Sequence, residues 1–326
     1  VFDVNRQAIA SRTDLIVHPA QYYVGVRSDR GFVEQGDPIV IDTTVVDVDG
    51  TAVAGRDFTV TAGRRDYAFE NGRYVEEIVD EQTCEVTSTG AVTNEQIDET
   101  MRCEFATEIG GQYEITAVVR DDDGRSNRAV YTQWVSGGTA PPTRDLTQGE
   151  VVIVPDAEFH APGDTAELLV QAPFAPASGL VTVTRAGIES VESFDAPEGS
   201  AVITVPIEDD DIPSLNVRVD MVGSDDRTAD DGTPLPDAPP QPAFAVGQIQ
   251  LQIPPTSRTL NVAATPAAEQ LQPGDSTSVT VAVNGPDGAA VAGAGVALVV
   301  VDEAVLSLTG YELSDPIDTF YRSVFS

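Results

Sequence analysis

Apolar and polar residues alternate one by one through much of this chain, and that period of two limits the fold more than any other feature. Leu215, Val217, Val219 and Met221 are interleaved with Asn216, Arg218 and Asp220, and Ile249, Leu251 and Ile253 with Gln248, Gln250 and Gln252. Tyr113, Ile115, Ala117 and Val119 follow the same rule against Glu114, Thr116 and Arg120, and Val279, Val281 and Val283 form a fourth set. Successive side chains of a strand point to opposite faces, so each run describes a strand with one buried and one wet side. Gly, Pro and Asp cluster between the runs at intervals that suit short strands. A helix is signalled once, where Ser314 could cap a turn with Pro316 just inside it, ahead of IDTFYRSVF. The pattern predicts an all-β protein built of fibronectin- or immunoglobulin-like seven-stranded β-sandwiches.

Internal repetition divides the chain. Gly36-Asp37, Gly163-Asp164 and Gly274-Asp275 each form a tight turn feeding an alternating strand, and their numbering offsets are 163 − 36 = 127 and 274 − 163 = 111. Those offsets are the size of one such sandwich. The first and third copies share a second marker, DGTAVAG from Asp49 and DGAAVAG from Asp287, with Gly50 and Gly288 equally far from their turn glycines. Breaks rich in Gly and Pro fall at 18–20, 137–148 and 253–258. The expected units are therefore a sandwich over 18–137, a second over 148–254, and the N-terminal part of a third over 257–326. Residues 3–17 resemble 121–135, so 1–17 is expected to be the last strand of a preceding domain. A shift of 274 − 36 = 238 carries Ser326 onto position 88, so the third unit is expected to lack its closing strands. The acidic, Pro-rich stretch 224–242 is expected to be a long exposed loop.

Charge excludes whole classes of function. Eighteen Lys and Arg against 53 Asp and Glu give 18 − 53 = −35. Such a surface repels phosphate backbones and anionic headgroups, which argues against nucleic-acid partners and direct membrane contact. No run approaches the ~18 apolar residues of a membrane span, and VFDVNRQAIA does not read as a signal peptide. Two His and two Cys leave little for metal or nucleophile chemistry.

The C-terminal stretch VALVVVDEAVLSLTGYELSDPIDTFY resembles bacterial α2-macroglobulins. The corresponding elements are Val301, Asp302 and Glu303 at the end of a strand, then Leu308, Thr309, Gly310 and Tyr311, then a helix with Pro316 ending in Phe320 and Tyr321. VIVPDAEFHAPGDTAELLVQAPFAPASGLVTVTRAGI and GGQYEITAVVRDDDGR with YTQWVSGG are similar to other parts of the same family, in family order. The resemblance implies tandem macroglobulin-like domains from a broad-range endopeptidase inhibitor. In that family a protease cleaves a bait region and is caged by the rearrangement that follows, and many members tether it through an internal thioester. It also implies a periplasmic location, with any inner-membrane anchor of the parent lying outside this chain. The motif places the bait just beyond residue 326. A thioester needs Cys-(Leu or Gly)-Glu-Gln, and neither TCEVTS nor MRCEFA fits.

In an exported protein, Cys84 and Cys103 are spaced for a cross-strand disulfide between neighbouring strands; reduced structural thiols are the alternative. Asp47 with Asp49, Asp121 to Asp123, and Glu208 with Asp209 to Asp211 could suggest calcium, but hairpin tips favour solvated turn carboxylates. His18 and His160 lack a paired nucleophile, Trp134 reads as core or interdomain packing, and Asp302-Glu303 reads as a turn. The sequence thus predicts a structural segment of an inhibitor: not an enzyme, with no cofactor or metal. Its partners would be neighbouring macroglobulin-like domains and, through the parent, target endopeptidases. Two other readings remain: an adhesin of immunoglobulin-like repeats stiffened by calcium, and a carbohydrate-binding module, which 6% aromatic content argues against.

Overall fold

A computed structural model describes residues 15–70, 73–90, 101–137, 149–227, 229, 235, 237–268, 270, 272, 274–301, 308 and 314–322. The strand expected over 3–17 falls almost wholly outside them; Leu15, Ile16 and Val17 lie in no strand and are exposed.

The first unit is a sandwich. One sheet joins β1 (Tyr22–Arg27), β3 (Ile39–Asp47) and β6 (Arg102–Phe105) in the order β1-β3-β6. The other is built from β2 (Phe32–Val33), β4 (Ala54–Glu70), β5 (Arg73–Thr89), β7 (Gly111–Arg120) and β8 (Ser126–Val135), ordered β2-β8-β7-β4-β5. Pairing is antiparallel except that β2 runs parallel to β8. Between the sheets, Ile39, Ile41 and Val45 of β3 meet Phe58, Val60 and Ala62 of β4 and Tyr113, Ile115, Ala117 and Val119 of β7. Each fully buried aliphatic or aromatic side chain contributes about 1.5–3 kcal/mol, so this face is what holds the unit closed.

The second unit repeats the plan. β10 (Val152–Pro155), β11 (Thr165–Gln171) and β14 (Ser200–Pro206) form one sheet. β9 (Gly149–Glu150), β12 (Ala177–Thr184), β13 (Ile188–Ala196), β15 (Ser214–Asp225) and β16 (Gln241–Gln252) form the other, ordered β13-β12-β15-β16-β9. The alternating residues Leu215, Val217, Val219 and Met221 are all in its core, facing Leu168 and Val170. The acidic stretch is shorter than expected as a loop, because β15 and β16 continue their ladder to Asp225 opposite Gln241.

The third unit contributes a hairpin of β17 (Asn261–Pro266) and β18 (Val279–Asn284). Its register copies the first unit: Asn261 faces Asn284 as Tyr23 faces Val46, two pairs related by the same shift of 238. The three turn glycines have φ of 98°, 97° and 98°, a left-handed conformation open to glycine at little cost. The N–H of Asp37, Asp164 and Asp275 each donates to the carbonyl three positions earlier at 3.0 Å. Residues 294–301 lie in no strand, unlike their counterparts in β4. β4 is held by ladders to β5 and β7, and the described residues of the third unit supply no equivalent partners. A short helix, α1 (Pro316–Phe320), is present, but its cap is Asp315 and not Ser314: the Asp315 carboxylate accepts from the N–H of Ile317 at 2.8 Å.

Candidate functional site

Cys84 sits on β5 and Cys103 on β6, and the two are joined in a disulfide with Cα atoms 6.1 Å apart. β5 and β6 are edge strands of opposite sheets, so the bond joins the two layers of the sandwich and not two partners in one ladder. The strands are consecutive in sequence, which hides this distinction from a reading of spacing alone. Two further contacts follow the same seam. The side-chain amide of Gln82 donates to the carbonyl of Ala106 at 2.8 Å and accepts from its N–H at 2.9 Å, replacing a missing strand neighbour. Thr43 donates to the carbonyl of Met101 at 2.5 Å.

The acidic clusters are occupied by the protein's own donors. Asp121 accepts from the N–H groups of Gln21, Asp123 and Arg125 and from the Arg125 guanidinium at 2.8–3.1 Å. Burial alone would raise its pKa, but these hydrogen bonds and the Arg125 charge hold it below the ordinary carboxylate value. Asp47 accepts from the N–H groups of Asp49 and Thr51, both at 2.9 Å, and Asp211 from that of Glu208 at 2.6 Å. Asp209 is paired with Arg258. The described residues form no group of three or more carboxylate, His or Cys side chains suited to a metal ion.

Arginines stitch the outer faces of the same unit. Arg65 and Arg128 both donate to Glu114, at 2.8 and 3.0 Å, and the Arg65 hydrogen bond depresses the Glu114 pKa. Arg56 lies 4.3 Å above the Tyr22 ring and donates to Asp122, whose pKa is lowered by that bond. His18 meets the Tyr23 hydroxyl at 2.8 Å on the surface, whereas His160 is buried with Nε2 at 3.1 Å from Asp156.

A joint between the first and second units was not legible as such in the sequence. The N–H of Gly31 donates to the carbonyl of Asp156 at 2.8 Å, Arg30 pairs with Glu167 at 2.5 Å, and the N–H of Gly137 donates to Ser200 at 3.1 Å. A Cβ on Gly31 would stand 2.0 Å from the carbonyl oxygen of Pro155, so only glycine permits this approach. Phe32 and Leu169 are both 0% exposed yet belong to neither core. Their neighbours Val33, Leu168 and Val170 do face the cores, so these two side chains point outward, where the other unit covers them. The signal was available: Leu168-Leu169-Val170 breaks the alternation, as a strand covered on both faces does. Trp134, half-buried on β8 opposite Phe32, lies beside this joint.

The C-terminal motif is only partly described. Asp302, Glu303, Thr309, Gly310 and Tyr311 lie outside the described residues. Val301, Leu308 and Phe320 are exposed, Pro316 opens α1, and Tyr321 is half-buried against the core of the second unit.

Comparison with known proteins shows what the chain is similar to. The model of the alpha-2-macroglobulin bait region domain matches residues 151–308. An alpha-2-macroglobulin homolog of Yersinia pestis is 24% identical over 97% of this chain, and one of Nostoc sp. is 23% identical over 98%. Along nearly its whole length the chain is similar to bacterial alpha-2-macroglobulin homologs. The chain spans about 15% and 16% of the length of those two relatives. The match to the bait region domain begins at Val151, upstream of the unit to which the C-terminal motif pointed. Circularly permutated Ras protein 2 of Dictyostelium discoideum is 24% identical over 45% of the chain, covering 3% of that protein. Among solved structures, native E. coli alpha-2-macroglobulin aligns over 98% of this chain and 20% of its own, at 19% identity and a TM-score of 0.32.

Proposed function

We propose that this chain is a structural run of macroglobulin-like domains within a larger protein that traps endopeptidases in the bacterial periplasm. The observation that supports this reading is the end-to-end likeness of 97% of the chain to about 15% of an alpha-2-macroglobulin homolog. In the whole protein, the segment holds neighbouring macroglobulin-like domains at fixed separations, and target endopeptidases are reached through the parent and not through this segment. The chemistry of its residues fits that role: carboxylates are engaged by N–H groups and arginines, and both cysteines are consumed in a structural bond. No residue described here is poised as a nucleophile or general base.

The test is comparative. The isolated chain, incubated with a panel of endopeptidases, is expected to leave their activity on a macromolecular substrate unchanged. The full-length protein, recovered from the periplasmic fraction, is expected to protect a stoichiometric amount of protease from a macromolecular inhibitor. Inhibition by the isolated chain, or failure of the full-length protein to protect, overturns the reading.

A further inference from the structure

The two sandwiches carry their charge differently. Residues 18–137 hold ten Arg against 23 Asp and Glu, 10 − 23 = −13, and residues 148–254 hold three against 19, 3 − 19 = −16. The sequence has no lysine, so apart from histidine every side-chain cation is a guanidinium. In the first unit these lie against carboxylates: Arg56 on Asp122, Arg64 on Asp80, Arg65 and Arg128 on Glu114, Arg102 on Asp42, and Arg125 on Asp121. In the second unit only Arg218 faces a carboxylate of its own unit, Asp220. Arg185 donates to the carbonyl of Ile212 and Arg227 to that of Pro239. Two further carboxylates, Glu167 and Asp209, are paired from outside the unit by Arg30 and Arg258. Glu189 and Glu192 on β13 and Glu198 in the turn after it are exposed, and no described arginine lies beside them.

Charge of one sign on a compact body repels itself, and unfolding relieves the repulsion. Salt decides how far that repulsion reaches, because the Debye length is about 30 Å at 0.01 M and about 8 Å at 0.15 M. In dilute salt, carboxylates across a whole sandwich therefore repel one another, whereas in stronger salt only neighbours do. In the first unit salt acts in two opposed ways, screening the repulsion and weakening the arginine pairs. In the second unit repulsion is nearly the whole of the balance. We propose that the second sandwich binds a diffuse atmosphere of small cations and depends on it to stay closed. The ligand is any mono- or divalent cation, held by the summed field of the unit and not by a coordination site. In a dilute medium the second unit loosens, while the first is held by its arginine pairs and the Cys84–Cys103 bond. This inference concerns the fold and stands apart from the protease-trapping role.

The chain's own methionines test it without any substitution. Met101 and Met221 are its two methionines, 2% and 1% exposed, one in the core of each sandwich. Hydrogen peroxide carries no charge and reaches each thioether only when its unit opens. Oxidation of each methionine, followed by peptide mass across a urea series at neutral pH, therefore reads the opening of each unit separately. Raising NaCl from about 0.01 M to about 0.3 M is expected to favour the closed second unit at least roughly ten-fold more than the closed first unit. Glu189→Gln with Glu192→Gln and Glu198→Gln brings the second unit from −16 to −13, the charge of the first, and is expected to shrink the salt response of Met221. The proposal is overturned if Met221 responds to salt no more than Met101, or if the triple variant leaves its response unchanged. An equal gain from sucrose at matched osmolality overturns it too, since sucrose screens no charge. Saturation by micromolar Ca²⁺ in dilute NaCl would assign a discrete site instead and equally overturns it.

Discussion

The β1–β3 hairpin of the first unit and the β17–β18 hairpin of the third are the same object in two surroundings. Val24 faces Val45 in one and Val262 faces Val283 in the other, and the glycines at 50 and 288 have φ of 81° and 78°. Even the isolated bridges coincide, Val46 with Ala52 and Asn284 with Ala290. Burial does not coincide: Val24 is 6% exposed and Val262 61%. Register and turn geometry are therefore properties of the local sequence, whereas burial comes from the sheet that β4, β5, β7 and β8 lay over the first hairpin. A lone two-stranded hairpin is marginal in water, so closure by that second sheet is what converts shape into stability.

The widest contrast is expected from truncating equivalent core positions. Ile41→Ala should cost the first unit ~2–5 kcal/mol, since Ile41 is fully buried, and Val279→Ala, at the matching position, less than ~1 kcal/mol. Trp134, the single tryptophan of the chain, reports in urea on the first unit and its joint with the second, and hydrogen exchange of the β18 amides reports on the third. Comparable shifts for both variants would break the comparison. Next in size is the seam disulfide, with a sequence separation of 19. Replacing both cysteines by Ala should lower the Trp134 midpoint by an amount equivalent to ~3 kcal/mol, with no change in hydrogen exchange of β11 or β15.

Smaller still is the turn glycine. Gly36→Ala and Gly274→Ala impose the same left-handed strain, about 1 kcal/mol, but the first should lower the Trp134 midpoint while the second leaves the already fast hydrogen exchange of the β18 amides nearly unchanged. The smallest effect concerns acid. Glu114 and Asp122 have depressed pKa values from their hydrogen bonds to Arg65 and Arg56, and Asp121 from the N–H groups and Arg125 charge that outweigh its burial. In the second unit Asp220 is depressed by its hydrogen bond to Arg218. Groups lowered in the folded state give stability that is present above their unfolded pKa of about 4 and lost as pH falls through the folded value. The first unit should therefore lose more stability than the second below about pH 4, and Glu114→Gln should narrow that gap.

Strand positions, the repeat and the two core faces were legible because period two and the Gly-Asp turns are local signals. Leu215 to Met221 and Tyr113 to Val119 are buried where the alternation puts them. What joins distant segments was not legible. Spacing showed that Cys84 and Cys103 could meet, but not that they staple opposite sheets. The contact of Gly31 with Pro155 depends on how two units lie together, which no single window encodes. The cap of α1 moved from Ser314 to Asp315 because both residues precede Pro316 and either could serve. The strand expected before Asp302 is not formed in residues 294–301, since extended backbone becomes a strand only with a ladder partner.

Hydrogen exchange resolved by residue tests most directly the claim that closure, not local sequence, sets stability here. The amides of Ile41 and Val45 on β3 should exchange at least ~10³-fold more slowly than those of Val279 and Val283 on β18, since the former open only with the whole sandwich. Equal protection of the two hairpins would contradict the account, because the third unit would then be as firmly closed as the first.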